Sequence, residues 1–146
     1  MEPRLKAPLE PYKHMFALEE WTKSSALPTT IHELVKLRVS QLNGCAFCVD
    51  MHSHELKEHG ETDERLFSVV TWEETPFFTE QERAALKLAE EGTRLTTGRV
   101  SDEAWDNAKK HFTDAELGAL VVAIATINAW NRFGTILQTV PGSMRK

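Results

Sequence analysis

The sequence predicts an all-α protein, and three observations carry that prediction. Apolar residues recur at three- and four-residue spacing in one segment after another. Ser or Thr followed three residues later by Glu stands in front of several of these segments, as at Thr79/Glu82 and Thr113/Glu116. No run alternates with period two for long enough to make a strand. With 146 residues and 41% hydrophobic content, the chain is read as one domain over 1–146 with an ordinary core.

Residues 1–10 contain Pro3 and Pro8, show no periodicity, and read as an extended arm. A first helix starts at Pro11, with Met15, Leu18 and Trp21 at helical spacing and Phe16 beside them, and ends at Ala26-Leu27-Pro28. Thr30 with Glu33 has the form of a capping box opening a second helix, whose buried face is Ile31, Leu34, Val35, Val39 and Leu42. Asn43-Gly44 is a helix-end and turn signal, so Cys45 opens a third helix that runs to about His59 and stops at Gly60. Thr62-Asp63-Glu64 starts a short helix with Leu66, Phe67 and Val70, followed by a loop, W-E-E-T-P-F-F. Thr79 opens a helix ending at Gly92, residues 93–100 are a polar connection, and Ser101 caps D-E-A-W-D-N-A-K-K-H. Thr113 opens a final long helix reaching about Gln138. Between Leu117 and Trp130 that helix is apolar over most of its circumference, so it is either the central helix or partly covered by another subunit. The Trp and Phe residues are assigned to the core, without a functional role.

The net charge of −5, with no basic run longer than Lys109-Lys110, argues against a nucleic-acid surface. The N-terminus lacks the apolar core of a signal peptide, and no uncharged apolar run is long enough to span a bilayer. A soluble cytoplasmic protein is expected. In a reducing compartment a close cysteine pair is catalytic or metal-binding more often than a structural staple.

Both cysteines of the chain lie in the stretch from Glu33 to His52. Cys45 and Cys48 are three apart and His52 is four beyond Cys48, so on a helix all three project from one face. At a helix N-terminus the unpaired N–H groups and the positive dipole end favour a thiolate, which becomes a usable nucleophile. The second cysteine then waits within disulfide reach. Glu33 is read either as the cap of its helix or as a carboxylate turned inward toward this chemistry. His54 and His59 fall on other parts of the third helix and read as solvated.

Glu33, then eleven residues, then Cys45-x-x-Cys48, three residues and His52, resembles the signature of the AhpD-like alkylhydroperoxidases of the carboxymuconolactone decarboxylase superfamily. The flanking L-R-V-S-Q-L-N-G-C-A-F-C-V-D-M-H, T-P-F-F-T-E-Q-E-R-A-A-L-K and I-N-A-W-N-R-F are similar as well, so the resemblance spans about residues 15–138. It implies an AhpD-like domain of six to seven helices and a thiol peroxidase that reduces organic hydroperoxides through a dithiol/disulfide cycle. It also implies no bound cofactor or metal, an external reductant of the dihydrolipoyl type or a lipoylated protein, and a homo-oligomer, trimer or hexamer. The catalytic set is then Glu33, Cys45, Cys48 and His52. Cys48 attacks the peroxide, His52 and Glu33 relay its proton, and Cys45, nearer the surface, resolves the sulfenic acid; the two cysteine roles can be exchanged. The sequence departs from the family's best-described branch at Phe47, where that branch has a histidine.

Two rival readings compete. Cys45, Cys48 and His52 could ligate zinc, with Glu33, His54 or a second subunit's residue as the fourth ligand, although the second CxxC or HxxxH usual in structural sites is absent from the sequence. The same thiols could sense oxidants without turnover.

Overall fold

The computed structural model describes residues 2–6 and 8–145. Among the described residues there are seven α-helices, one 3-10 helix and no strand. The order is α1 (Tyr12–Lys23), α2 (Thr29–Leu42), α3 (Ala46–Glu58), α4 (Asp63–Ser68), the 3-10 helix Val69–Glu74, α5 (Glu80–Thr93), α6 (Asp102–His111) and α7 (Asp114–Ile136). Local chemistry sets most of the starts. The side chains of Thr62, Thr79, Ser101 and Thr113 each accept a backbone N–H from the residue three further on. Thr79/Glu82 and Thr113/Glu116 close as complete capping boxes.

The second helix departs from the expected capping. It begins at Thr29 behind Pro28, whose extended ψ of 136° sets the entry, and it has no side-chain cap. Thr30 lies inside the first turn, so Glu33 is not a cap and its side chain is free to turn inward.

α2, and not the apolar α7, is the central helix. Every residue from Ile31 to Ser40 is buried, and the three faces meet three different surroundings. Ile31, Val35 and Val39 join the larger core with α5, α6 and α7, where Ala85, Leu88, Leu120 and Ile127 lie. Leu34 and Leu37 pack in a second core with Leu56, Val69, Trp72, Phe78 and Leu86. The remaining face carries His32, Glu33 and Lys36 toward α1 and α3. Arg38 is also buried: its Nε donates to Glu90 Oε1 at 2.6 Å, and Trp72 Nε1 donates to the same oxygen at 2.8 Å.

Trp72 therefore belongs to a 3-10 helix where a loop was expected, because its ring fills the second core while its N–H finds a buried acceptor. Its neighbours follow suit: Val69 is buried, whereas Phe67 and Val70, expected inside, face solvent. The apolar stripe of α1 is likewise exposed at Phe16, Leu18 and Trp21, while Tyr12 packs inward, edge-on to Trp130 and Phe133. Trp21 and Trp105 are thus not core residues.

On α7, Leu117, Ala119, Leu120, Ala123, Ile124 and Ile127 are buried, but Gly118, Val121 and Ala125 face outward with no cover from the described residues. Of the segment 1–10, Met1 and Ala7 lie outside the described residues. Arg4 ties this segment to the end of α7, its backbone N–H donating to Leu137 O at 2.8 Å and its Nη1 to Ile136 O at 2.9 Å. Among the described residues no helix is long and apolar enough to cross a membrane.

Candidate functional site

The turn between α2 and α3 is built by a short polar network and one glycine. Gly44 has φ +65°, a conformation that suits glycine, and there the N–H of Cys45 closes on Ser40 O at 3.1 Å. Asn43 Nδ2 donates to Asn131 Oδ1 at 2.9 Å and to Asn128 Oδ1 at 3.0 Å, while Asn131 Nδ2 donates to Ser40 Oγ at 2.9 Å. Asn131 is buried, so its amide must be satisfied inside the protein, and the turn supplies the partners. The start of α3 is thereby fastened to α7.

Cys45 is the N-cap of α3, and its Sγ accepts the Cys48 N–H at 3.3 Å. The two sulfurs are bonded as a disulfide, with Cα atoms 5.2 Å apart. The expectation that Cys45 lies nearer the surface is not met: Cys45 is 1% and Cys48 2% exposed. The cover is the last turn of α7. A Cβ placed on Gly134 would stand 2.6 Å from Cys45 Sγ and 3.2 Å from Cys48 Sγ, so only a glycine lets the helix backbone lie this close to the pair. Phe47, half-buried, borders the same spot, its Cδ1 4.0 Å from that Cβ position. Gly134 was missed in the sequence, where a lone glycine inside an apolar helix is the available signal of close packing.

The polar side of the site lies between α1, α2 and α3. Glu33 is 4% exposed; its Oε1 is 2.9 Å from Lys36 Nζ, and its Oε2 is buried without a hydrogen-bond partner. Lys36 also lies 3.7 Å from Glu19 of α1. His32 sits 3.9 Å from both Glu19 and Glu33, but these are not ion pairs at neutral pH. Burial, with the charge of Lys36 and lesser contributions from His52 and Lys23, lowers the His32 pKa to about 3.

His52, on α3 one turn beyond Cys48, is buried, and its Nδ1 lies 2.9 Å from Glu55 Oε2. The expected direct partnership with Glu33 gives way to this one. Glu55 is three residues along the same helix, and the helix brings it alongside. One ligand atom from each of Glu33, His52 and Glu55 lies within 4.8 Å of the other two, so Glu33 still borders the imidazole. Burial works to raise the Glu55 pKa, but the hydrogen bond and charge of His52, together with Lys36 and Lys23, outweigh it and hold the carboxyl at about 2. An ionised Glu55 accepts the Nδ1–H, so Nε2 is the ring nitrogen left to exchange a proton. Sequence reasoning passed over Glu55, although His52-x-x-Glu55 is an i,i+3 pair. His54 and His59 are exposed, as expected, and each ring bonds a backbone carbonyl four residues back. In this oxidised form the cysteines offer no thiolate to a metal.

The arrangement thus joins a buried disulfide to a histidine hydrogen-bonded to a carboxylate, with a second, incompletely satisfied carboxylate beside it. Residues 10–91 match the model of the carboxymuconolactone decarboxylase family. The uncharacterized protein YdfG of Bacillus subtilis is 42% identical over 123 residues, which span 84% of each chain. A crystal structure of a protein of unknown function from Agrobacterium tumefaciens, provisionally connected with AhpD antioxidant defence, superposes with TM-score 0.91 at 36% identity, covering 96% of this chain and 98% of that one. A shorter match, 45% identity over 38 residues, joins 26% of this chain to 21% of the alkyl hydroperoxide reductase AhpD of Hyphomonas neptunium. With these similarities, the chain belongs to the carboxymuconolactone decarboxylase family and has its AhpD-like helical fold.

Proposed function

We propose that the protein is a thiol-dependent peroxidase that reduces organic hydroperoxides in the cytoplasm, and that the disulfide form described above is the oxidised end of its cycle. The observation that carries this reading is the bonded Cys45–Cys48 pair at the start of α3, one helical turn from the buried His52. In the reduced enzyme, Cys48 loses its proton to His52 Nε2, directly or through water, and the thiolate attacks the terminal oxygen of ROOH. The O–O bond breaks, sulfur is oxidised to the sulfenic acid, and the alkoxide leaves as ROH with the proton returned by the imidazolium. Cys45 then attacks the sulfenic sulfur, the S–S bond forms, and the hydroxide leaves with the Cys45 proton as water. A dithiol reductant reopens the disulfide by exchange and is itself oxidised to its cyclic disulfide, so one ROOH and one dithiol give ROH, water and one disulfide.

Glu55 holds the imidazole in the tautomer that can accept a proton, and Glu33, on the opposite helix, stabilises the imidazolium. With Phe47 beside the pair, no second imidazole stands between the cysteines, and His52 carries the proton alone. The buried sulfurs require the last turn of α7 or the first turn of α3 to move before a reductant enters. A dithiol of the dihydrolipoyl type, free or on a lipoylated protein, is slim enough to follow such an opening. The outward residues Val121 and Ala125 of α7, and Phe16, Leu18 and Trp21 of α1, are the surfaces through which we expect a closed homo-oligomer, trimer or hexamer, to form.

The test is a reductant screen with an organic hydroperoxide such as cumene hydroperoxide, following peroxide loss. Many turnovers per chain are expected with dihydrolipoamide and fewer with glutathione. One equivalent of peroxide consumed per chain, with no further turnover in any dithiol, would refute the enzyme and leave a sensor.

A further inference from the structure

The cluster of Glu33, His52 and Glu55 has the makings of a site that needs no cysteine. One ligand atom from each lies within 4.8 Å of the others. A tetrahedral ion with bonds of about 2.0–2.1 Å holds its ligand atoms about 3.3 Å apart, so the cluster must close by at most about 1.5 Å. His52 Nδ1 and Glu55 Oε2, at 2.9 Å, are already near enough. The residues come from two helices that are fixed against each other through the second core and through the Asn43 network.

A second observation points to a ligand. Glu33 Oε2 is buried and has no hydrogen-bond partner, although its twin Oε1 is held by Lys36. A buried carboxylate oxygen without a donor is costly, and a cation satisfies it. Lys36 does not occupy this place, since it engages the other oxygen and also reaches Glu19. Charge agrees. Three carboxylates, Glu19, Glu33 and Glu55, face one buried lysine, with Lys23 exposed at the rim. The Glu55 side chain is 38% exposed, which gives an ion a route from solvent.

We propose that Glu33, His52 and Glu55 form a divalent metal site for zinc or a similar ion that accepts nitrogen and oxygen ligands, with a water completing the coordination. The three-ligand set with one open position is the arrangement in which zinc keeps an exchangeable water. Lys36 confines Glu33 to one coordinating oxygen. An ion there engages the same imidazole and carboxylates that the thiol chemistry uses, so occupancy and proton transfer exclude one another. The site itself does not depend on the peroxidase reading, because it can be measured with the disulfide closed.

The experiment is zinc titration calorimetry on the full chain in its oxidised form, in a non-chelating buffer, with intact mass confirming the disulfide. One ion per chain is expected, with affinity falling at least 10-fold in Glu55→Gln and in Glu33→Gln and unchanged in His54→Gln, a histidine outside the cluster. A cobalt titration of the unmodified oxidised protein guards against variants that fail to fold: visible d–d bands without a sulfur charge-transfer band are expected. Absence of binding at 10-fold excess over about 100 μM protein, affinity indifferent to Glu55→Gln, or loss in His54→Gln equal to that in Glu33→Gln would each overturn the site.

Discussion

Gly134→Ala tests the packing of α7 on the disulfide. The added Cβ would meet Cys45 Sγ at 2.6 Å and Cys48 Sγ at 3.2 Å, where ordinary contact begins at 3.4 Å. Neither sulfur can swing aside while it is bonded to the other, and both are enclosed, so α7 must shift or the first turn of α3 must distort. Overpacking of this kind costs about 1–3 kcal/mol, and the two short contacts argue for the upper end. Alanine in a helix interior returns about 0.8–1.0 kcal/mol relative to glycine, leaving a net loss of about 2 kcal/mol. For a chain of this size that lowers the Tm by roughly 4–8 °C. In the reduced protein the Cys45 side chain is free to choose another rotamer, so the penalty should shrink. The assay is thermal unfolding of parent and variant, each with and without a strong dithiol, monitored by far-ultraviolet circular dichroism. An oxidised variant that melts at or above the parent, or a loss that is the same in both redox states, would refute the close approach of α7 to the sulfurs.

Three further outcomes are expected. In the reduced protein, Glu33→Gln and His52→Phe should move the midpoint of iodoacetamide alkylation to higher pH and lower peroxidase turnover by roughly 100-fold, with Glu55→Gln acting in the same direction; an unmoved alkylation profile in all three would remove the relay. Stability should fall with acid in two stages, because both His32 and Glu55 have folded pKa values below their ordinary ones. The unfolded chain binds the extra His32 proton between pH 6.5 and about 3, and the extra Glu55 proton between 4.5 and about 2, so each group stabilises the fold above its upper limit and that stabilisation is lost progressively below it. Urea midpoints across pH 3–7 measure this, and His32→Leu, if it folds, should flatten the upper stage. Light scattering at micromolar concentration should return a multiple of the 16.6 kDa chain mass, and Val121→Glu should reduce it; a monomer in the unmodified protein would sink the assembly.

What the sequence made legible was local. The Thr79 and Thr113 boxes and the Ser101 cap depend on residues three apart, and each formed as read. So did the break at Asn43-Gly44 that puts Cys45 at a helix start. The expected box at Thr30 failed because Pro28 starts the helix two residues early, and a Ser/Thr-x-x-Glu pattern cannot say whether its first residue lies outside the helix or in its first turn. Residues whose role is set by another helix were harder to see. Glu55 has the look of a solvent-facing helical acid until His52 is known to be buried beside it, and Gly134 looks like an interruption until the disulfide is found against it. The exposure of Phe16, Leu18 and Trp21 was hidden for the same reason: periodicity reports an apolar face, not what covers it.

The same limit explains why the sequence left the place of α7 open between the centre of the domain and a face covered by another subunit. By composition α2 is the less apolar of the two, since it carries His32, Glu33, Lys36 and Arg38 within seven residues. Yet α2 is buried on every side, because its two cations find partners on other helices: Lys36 reaches Glu19, and Arg38 reaches Glu90, which Trp72 also holds. Buried charges paired in this way add little net stability, since desolvation consumes most of the Coulombic gain. The fold's stability comes from the two apolar cores on either side of α2. What the charged face contributes is position, with Glu33 and Lys36 aligned against α3 where His52 and Glu55 stand. Apolar residues there would stabilise the bundle as well, but they would leave His52 with no second carboxylate. Of the charged groups on α2, Glu33 alone keeps a buried oxygen unpartnered, and it is the group that faces the imidazole next to the cysteines. The interior polarity of α2 is therefore better explained by the site it builds than by the fold it supports.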